Sequence, residues 1–123
     1  MPLFLVAAQD REDSPFNLMD DHQEVWRDLT ALDDELRAAG AYVFSRGLQA
    51  PDAALTFYAP LTGAVFEKPG PAGPTSLAGM WIIDCASEDE AREWARRCAT
   101  AHRCDVELRP FQPLVSEYIE EST

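Results

Sequence analysis

Both alternating sets of positions in the run from Leu3 to Ala8 are apolar, Leu3, Leu5 and Ala7 on one side and Phe4, Val6 and Ala8 on the other. A strand of that kind is buried on both faces and belongs in the middle of a sheet. Met80 to Ile83 repeats the pattern, with Met80 and Ile82 facing one way and Trp81 and Ile83 the other, and predicts a second central strand. Asp105 to Pro110 instead alternates strictly, Val106 and Leu108 against Asp105, Glu107 and Arg109, which predicts an edge strand open on one face and closed by Pro110.

The longer period appears twice. From about Asp20 to Ala39, Val25, Leu29, Leu32 and Leu36 recur at steps of four, three and four, Asp20, Asp21 and Glu24 sit in the first turn, and Gly40 stands where a helix C-terminus favours positive φ. After the second central strand, Ser87 and Glu90 have capping-box spacing, and Ala91, Trp94, Ala95 and Cys98 form one face of a second helix. Ala41 to Leu48 and Ala53 to Ala59 read as further strands, with Gly63 to Phe66 pairing back on the latter as a hairpin. Asp10 to Asn17 is polar, contains Pro15 and reads as a loop. So does Glu67 to Gly79, because proline lacks the N–H a ladder needs.

Strand, helix, strands, strand, helix, strand is the order of an α+β domain of the ferredoxin-like, split β-α-β sandwich class. In that class two helices cover one face of the sheet. The doubly apolar strands demand cover on the other face as well, so a second copy is expected there and the chain is expected to be a homodimer. A single domain over residues 1–111 is expected, followed by a tail, 112–123, in which Leu114, Val115, Tyr118 and Ile119 suit a short helix or arm.

Charge narrows the partners. Twenty-two acidic residues against ten basic ones give a net charge of −12, which repels nucleic acid and anionic membrane surfaces at long range. Three cysteines, Cys85, Cys98 and Cys104, are too few for a disulfide framework, and no signal peptide or membrane span precedes the acidic segment after Gln9. A cytoplasmic protein with reduced thiols is expected.

Leu36, Ala39 and Gly40, then Gly47, Leu48 and Pro51, then Gly79, Trp81 and Ile83, then Ala91, Glu93, Trp94, Ala95 and Arg97, then Glu107, Arg109 and Pro110 stand in an order and spacing that resembles the YCII-related, or DGPF-domain, family. The likeness runs from about Leu32 to Phe111. It implies a ferredoxin-like chain that pairs into a dimeric α/β barrel. The family's signature Asp-Gly-Pro-Phe loop falls on Glu67, Lys68, Pro69 and Gly70, so the motif is degenerate and only a carboxylate survives. Some smaller members use a His–Asp pair with the histidine on the first helix; His22 lies about two turns earlier by count from Gly40.

Glu67, placed by the resemblance in the signature loop, is the candidate catalytic base toward an acidic C–H. Arg46 and Arg109, on strands, are candidates to grip the carboxylate of a small substrate, with internal ion pairs as the competing use. Cys98, His102 and Cys104 lack the paired spacing of a zinc site, and no metal is expected. No phosphate loop, dinucleotide fingerprint or Ser-His-Asp spacing occurs, so no cofactor is expected either. Two functions remain: a cofactor-free enzyme of the isomerase or lyase kind acting on a small anionic organic acid, or a non-catalytic binding or accessory dimer. The segment from Lys68 to Ser76 is expected to serve as a flap over a cleft or as an arm to a partner.

Overall fold

The structure, a computed structural model, describes residues 2–10, 18–73, 76–114 and 116. In chain order these form β1 (Leu3–Asp10), α1 (Leu18–Ala38), β2 (Tyr42–Gly47), β3 (Leu55–Tyr58), β4 (Phe66–Pro69), β5 (Ser76–Asp84), α2 (Glu88–His102) and β6 (Val106–Pro110). The main sheet has the order β2-β5-β1-β6 with every neighbouring pair antiparallel. The two doubly apolar strands, β1 and β5, are its centre. The strictly alternating β6 is an edge. The fold is ferredoxin-like α+β.

Register separates the two faces of the sheet. Val6 stands between Trp81 and Leu108, and Phe4 lies opposite Ile83. Phe4, Val6, Ala8, Trp81 and Ile83 pack with Leu32 and Leu36 of α1 and Ala91, Ala95 and Cys98 of α2 in one core. The stripe of α1 ends at Gly40, whose φ is +73°, while the Gly40 N–H donates to the Arg37 carbonyl and the Ala41 N–H to that of Leu36. At the start of α2 the Ser87 hydroxyl accepts from the Glu90 N–H at 3.2 Å. The Glu90 carboxylate reaches back to the N–H of Ala86, one residue before the cap, rather than to that of Ser87.

Leu5, Ala7, Met80 and Ile82 point the other way, in rows with Phe44 and Arg46 of β2 and with Glu107 and Arg109 of β6. Neither helix packs on that face. Leu3 and Phe44 are exposed there, and Asp84 Oδ1 is buried with no hydrogen-bond partner among the described residues.

The hairpin differs from the expected one. Its return strand starts at Phe66, opposite Tyr58, and runs through Glu67 and Lys68 to Pro69. Gly63 to Val65 belong to the turn instead. Stacking of Tyr58 on Phe66, with ring centroids 5.2 Å apart, and Lys68 over both rings select this register. Pro69, whose missing N–H suits a strand end, closes β4, and Gly70 at φ +96° turns the chain, with the Thr56 hydroxyl donating to its carbonyl at 2.7 Å. The expected long loop is shortened at both ends, since Glu67 to Pro69 belong to β4 and Ser76 to Gly79 to β5. Pro74 and Thr75, the middle of the expected flap, lie outside the described residues, as do the 11–17 segment, the side chain of His22 and nearly all of the tail beyond Leu114.

Candidate functional site

Leu29, Asp33 and Arg37 follow one another at steps of four along α1, beside the buried Leu32/Leu36 stripe, and so share one flank of the helix. That flank meets the sheet at the β2 edge. There Leu29, Asp33 and Arg37 line a cavity of about 250 Å³ together with Tyr42, Ser45, Arg46 and Gly47 of β2, Gly79, Met80 and Trp81 of β5, and His102 at the end of α2. The volume lies below that of a drug-sized pocket and suits a ligand of a few carbon atoms.

Asp33 organises the wall. Its Oδ1 accepts from the Trp81 indole N–H at 3.0 Å, and its Oδ2 accepts from the Ser45 hydroxyl at 2.8 Å. The Tyr42 hydroxyl lies 3.1 Å from the same serine oxygen. Ser45 has a single proton, already given to Asp33, so the Tyr42 O–H is the donor in the second bond and the phenol oxygen keeps its lone pairs free to accept. The order Tyr42, Ser45, Asp33 is therefore a directed hydrogen-bond chain ending on a carboxylate. The ring of His102 stands edge-on to Trp81, with centroids 6.1 Å apart and planes at 83°.

Arg37 of α1 and Arg46 of the β2 edge both line the cavity. Arg37 lies over the Tyr42 ring, 4.2 Å from its centroid, and within 3.6 Å of exposed Asp34. Arg46 stands over Phe44 and donates to the Ser45 carbonyl at 2.9 Å. The cavity thus gathers two of the ten basic residues of a chain whose net charge is −12. Close approach of backbones sets its floor: a Cβ on Gly79 would stand 2.8 Å from the Arg46 carbonyl oxygen and 3.1 Å from the Gly47 Cα.

Of the three residues expected from sequence, Arg46 lines this cavity. Arg109 sits on the open face of the sheet, opposite Leu5, in an ion pair with Glu107. Glu67 is exposed on β4, opposite Phe57, and does not line the cavity. Asp33, Tyr42, Ser45, Trp81 and His102 were not expected as a group. The step-of-four spacing of Leu29, Asp33 and Arg37 was visible, but nothing local tells Asp33 from its neighbours Asp34 and Glu35. Among the described residues no three His, Cys, Asp or Glu side chains are placed to hold a metal ion, and no helix is long and apolar enough to cross a membrane.

Comparison with curated proteins finds no significant match. A family model, the YCII-related domain, matches residues 2–113, nearly the whole chain, and the chain belongs to that family.

Proposed function

We propose that this YCII-related chain binds a small anionic organic acid in the cavity beside Asp33 and moves a proton on it without a cofactor, as an enzyme of the isomerase or lyase kind. The observation that carries the reading is the directed hydrogen-bond chain Tyr42, Ser45, Asp33 beside the Arg37 guanidinium in one small cavity. Arg37 supplies the charge and the donor geometry for a carboxylate, with Arg46 adding positive charge from the β2 edge, and in an acidic protein this makes the cavity the favoured landing site for an anion. Tyr42 accepts the proton of the substrate, passing its own to Ser45 and thence to Asp33, so a weak phenolic base is backed by a carboxylate. Glu67 lies apart from this chain, and the proton-handling role rests on the groups of the cavity itself.

Two measurements test the reading. A series of small mono- and dicarboxylic acids, from acetate to maleate and muconate, should include at least one that stabilises the protein by about 2.7 kcal/mol when present at a hundred times its dissociation constant. The acid that binds should exchange its acidic C–H for deuterium in D2O, and the exchange should vanish in Tyr42→Phe. Binding without exchange would instead identify a non-catalytic binding module.

The protein acts as a homodimer paired through the open sheet face. Exposed Leu3 and Phe44 on that face support this, beside Leu5, Ala7, Met80 and Ile82 of the two central strands, which neither helix covers. A two-fold axis running along the strands sets the β2 edge of one copy over the β6 edge of the other. Sedimentation of Phe44→Asp should show a monomer where the natural chain sediments as a dimer; a natural chain of 13.7 kDa in solution would contradict the pairing. The three free thiols suit a reducing, cytoplasmic setting, and the net charge of −12 argues against nucleic acid.

A further inference from the structure

The three cysteines occupy unlike environments. Cys85 and Cys98 are buried, and burial above all pushes their thiols up to about 11 and about 12. Cys104 is only half-buried, and its Sγ lies 2.8 Å from Nδ1 of His102. A thiol within hydrogen-bond reach of an imidazole is the arrangement that activates a sulfur nucleophile, provided that a third group fixes the ring. Trp81 packs against the ring, with centroids 6.1 Å apart and planes at 83°, and is itself held by Asp33.

The backbone brings the pair together. Residue 103 takes the left-handed conformation, φ 59°, which reverses the chain after α2 and lets the side chains on either side of it meet. Such a φ is unfavourable for a residue with a Cβ. Arg103 is held there by its N–H on the Ala99 carbonyl at 2.9 Å, by its guanidinium on the Ala101 carbonyl at 2.6 Å and by Asp28 at 2.8 Å. That guanidinium also offsets the negative end of α2 beside the sulfur. His102 itself occupies the last turn of α2. Cys104 lines a groove of about 630 Å³ between α2 and β6, with Glu88, Arg92, Arg96 and Asp105 as its charged neighbours. Cys98 of α2 lies close enough for Cys104, Asp33 and Arg97 to act on its thiol.

We propose that Cys104 is a redox-sensitive modification site, a nucleophilic thiol that His102 activates toward hydroperoxides. This goes beyond the anion site and stands without it. Nδ1 takes the thiol proton, the sulfur lone pair attacks one peroxide oxygen, and an S–O bond forms as the O–O bond breaks. The departing hydroxide takes the proton from His102 and leaves as water. Sulfur is oxidised to a sulfenic acid and the peroxide is reduced.

The test uses the full, folded chain. Brief exposure to one equivalent of hydrogen peroxide in the presence of dimedone, followed by peptide mass mapping, should place at least ten times more adduct on Cys104 than on Cys85 or Cys98. The iodoacetamide rate of the natural chain, measured against pH with Cys104→Ser as the blank, should reach half its plateau below about pH 8, under the ordinary thiol value of about 8.5. His102→Gln should lower that rate about ten-fold at pH 7 and return the midpoint to the ordinary value. Equal labelling of the three thiols, or a natural-chain midpoint at the ordinary value, overturns the proposal. The natural-chain profile decides the matter even where His102→Gln fails to fold.

Discussion

Replacing Asp33 with asparagine should abolish the exchange of the acid's C–H and remove about 2 kcal/mol of stability, the cost of a half-buried network that loses its charged acceptor. In the natural chain one carboxylate takes a proton donor on each oxygen, Trp81 N–H on one and Ser45 O–H on the other. Asparagine can still take the Trp81 N–H on its carbonyl oxygen, but its NH2 then faces Ser45, whose hydroxyl must turn to accept it, and the chain loses both its charged end and its direction. The neighbouring substitution provides the contrast. Asp34 is exposed and pairs with Arg37 at 3.6 Å among the described residues, so Asp34→Asn should stay within about 0.5 kcal/mol of the natural protein in urea unfolding. Equal losses at the two positions would mean that Asp33 holds nothing together.

Gly79→Ala should be the more damaging change, by about 3 kcal/mol, because the new methyl group meets backbone and not a side chain that can swing away. β2 and β5 must move apart to admit it, which loosens the ladder that carries Ser45, Arg46 and Trp81 and deforms the cavity at its floor. A melting temperature lower by roughly 10 °C follows for a chain of this size. Gly47 lies directly across the same ladder and lines the same cavity, yet a Cβ there would come no closer than 3.9 Å to the Ala78 carbonyl oxygen. Gly47→Ala should therefore melt within a few degrees of the natural protein. Calorimetry on the two variants side by side checks both statements.

The sheet was legible because burial on one face or on two leaves different sequence patterns. Phe4, Val6 and Ala8 alternate with Leu5 and Ala7, Trp81 and Ile83 with Met80 and Ile82, and the structure puts these strands at the centre. Val106 and Leu108 alternate with charged residues and lie at the edge. The helix stripes and the Gly40 stop were legible for the same reason, since a period near 3.6 and a positive φ are local properties. The hairpin was displaced because its register depends on the stacking of Tyr58 and Phe66 across the turn, a cross-strand contact that outweighs the turn signal around Gly63.

The site was mostly hidden for a reason of the same kind. Arg46 was singled out as a lone cation on a strand. Asp33 stood in a run of acids, and what distinguishes it is a bond to Trp81, 48 residues further along the chain. Tyr42 and Ser45 gain their meaning only once a β-irregularity between Tyr42 and Phe44 turns both toward α1. His102 and Cys104, whose spacing looked too irregular for a metal site, meet because Arg103 adopts a left-handed turn that no local residue preference announces.

The most direct test of the anion site uses its own reporter. The chain has three tryptophans, and only the Trp81 indole N–H points at Asp33 in the cavity, whereas Trp26 is exposed and Trp94 lies under Arg97. Indole N–H resonances of 15N-labelled protein can be followed while the same series of mono- and dicarboxylic acids is titrated in. The account predicts that at least one acid moves the Trp81 resonance along a saturating curve, leaves those of Trp26 and Trp94 in place, and loses its effect in Arg37→Ala. A Trp81 resonance that no acid in the series moves, or one that moves only in step with the other two, would contradict it.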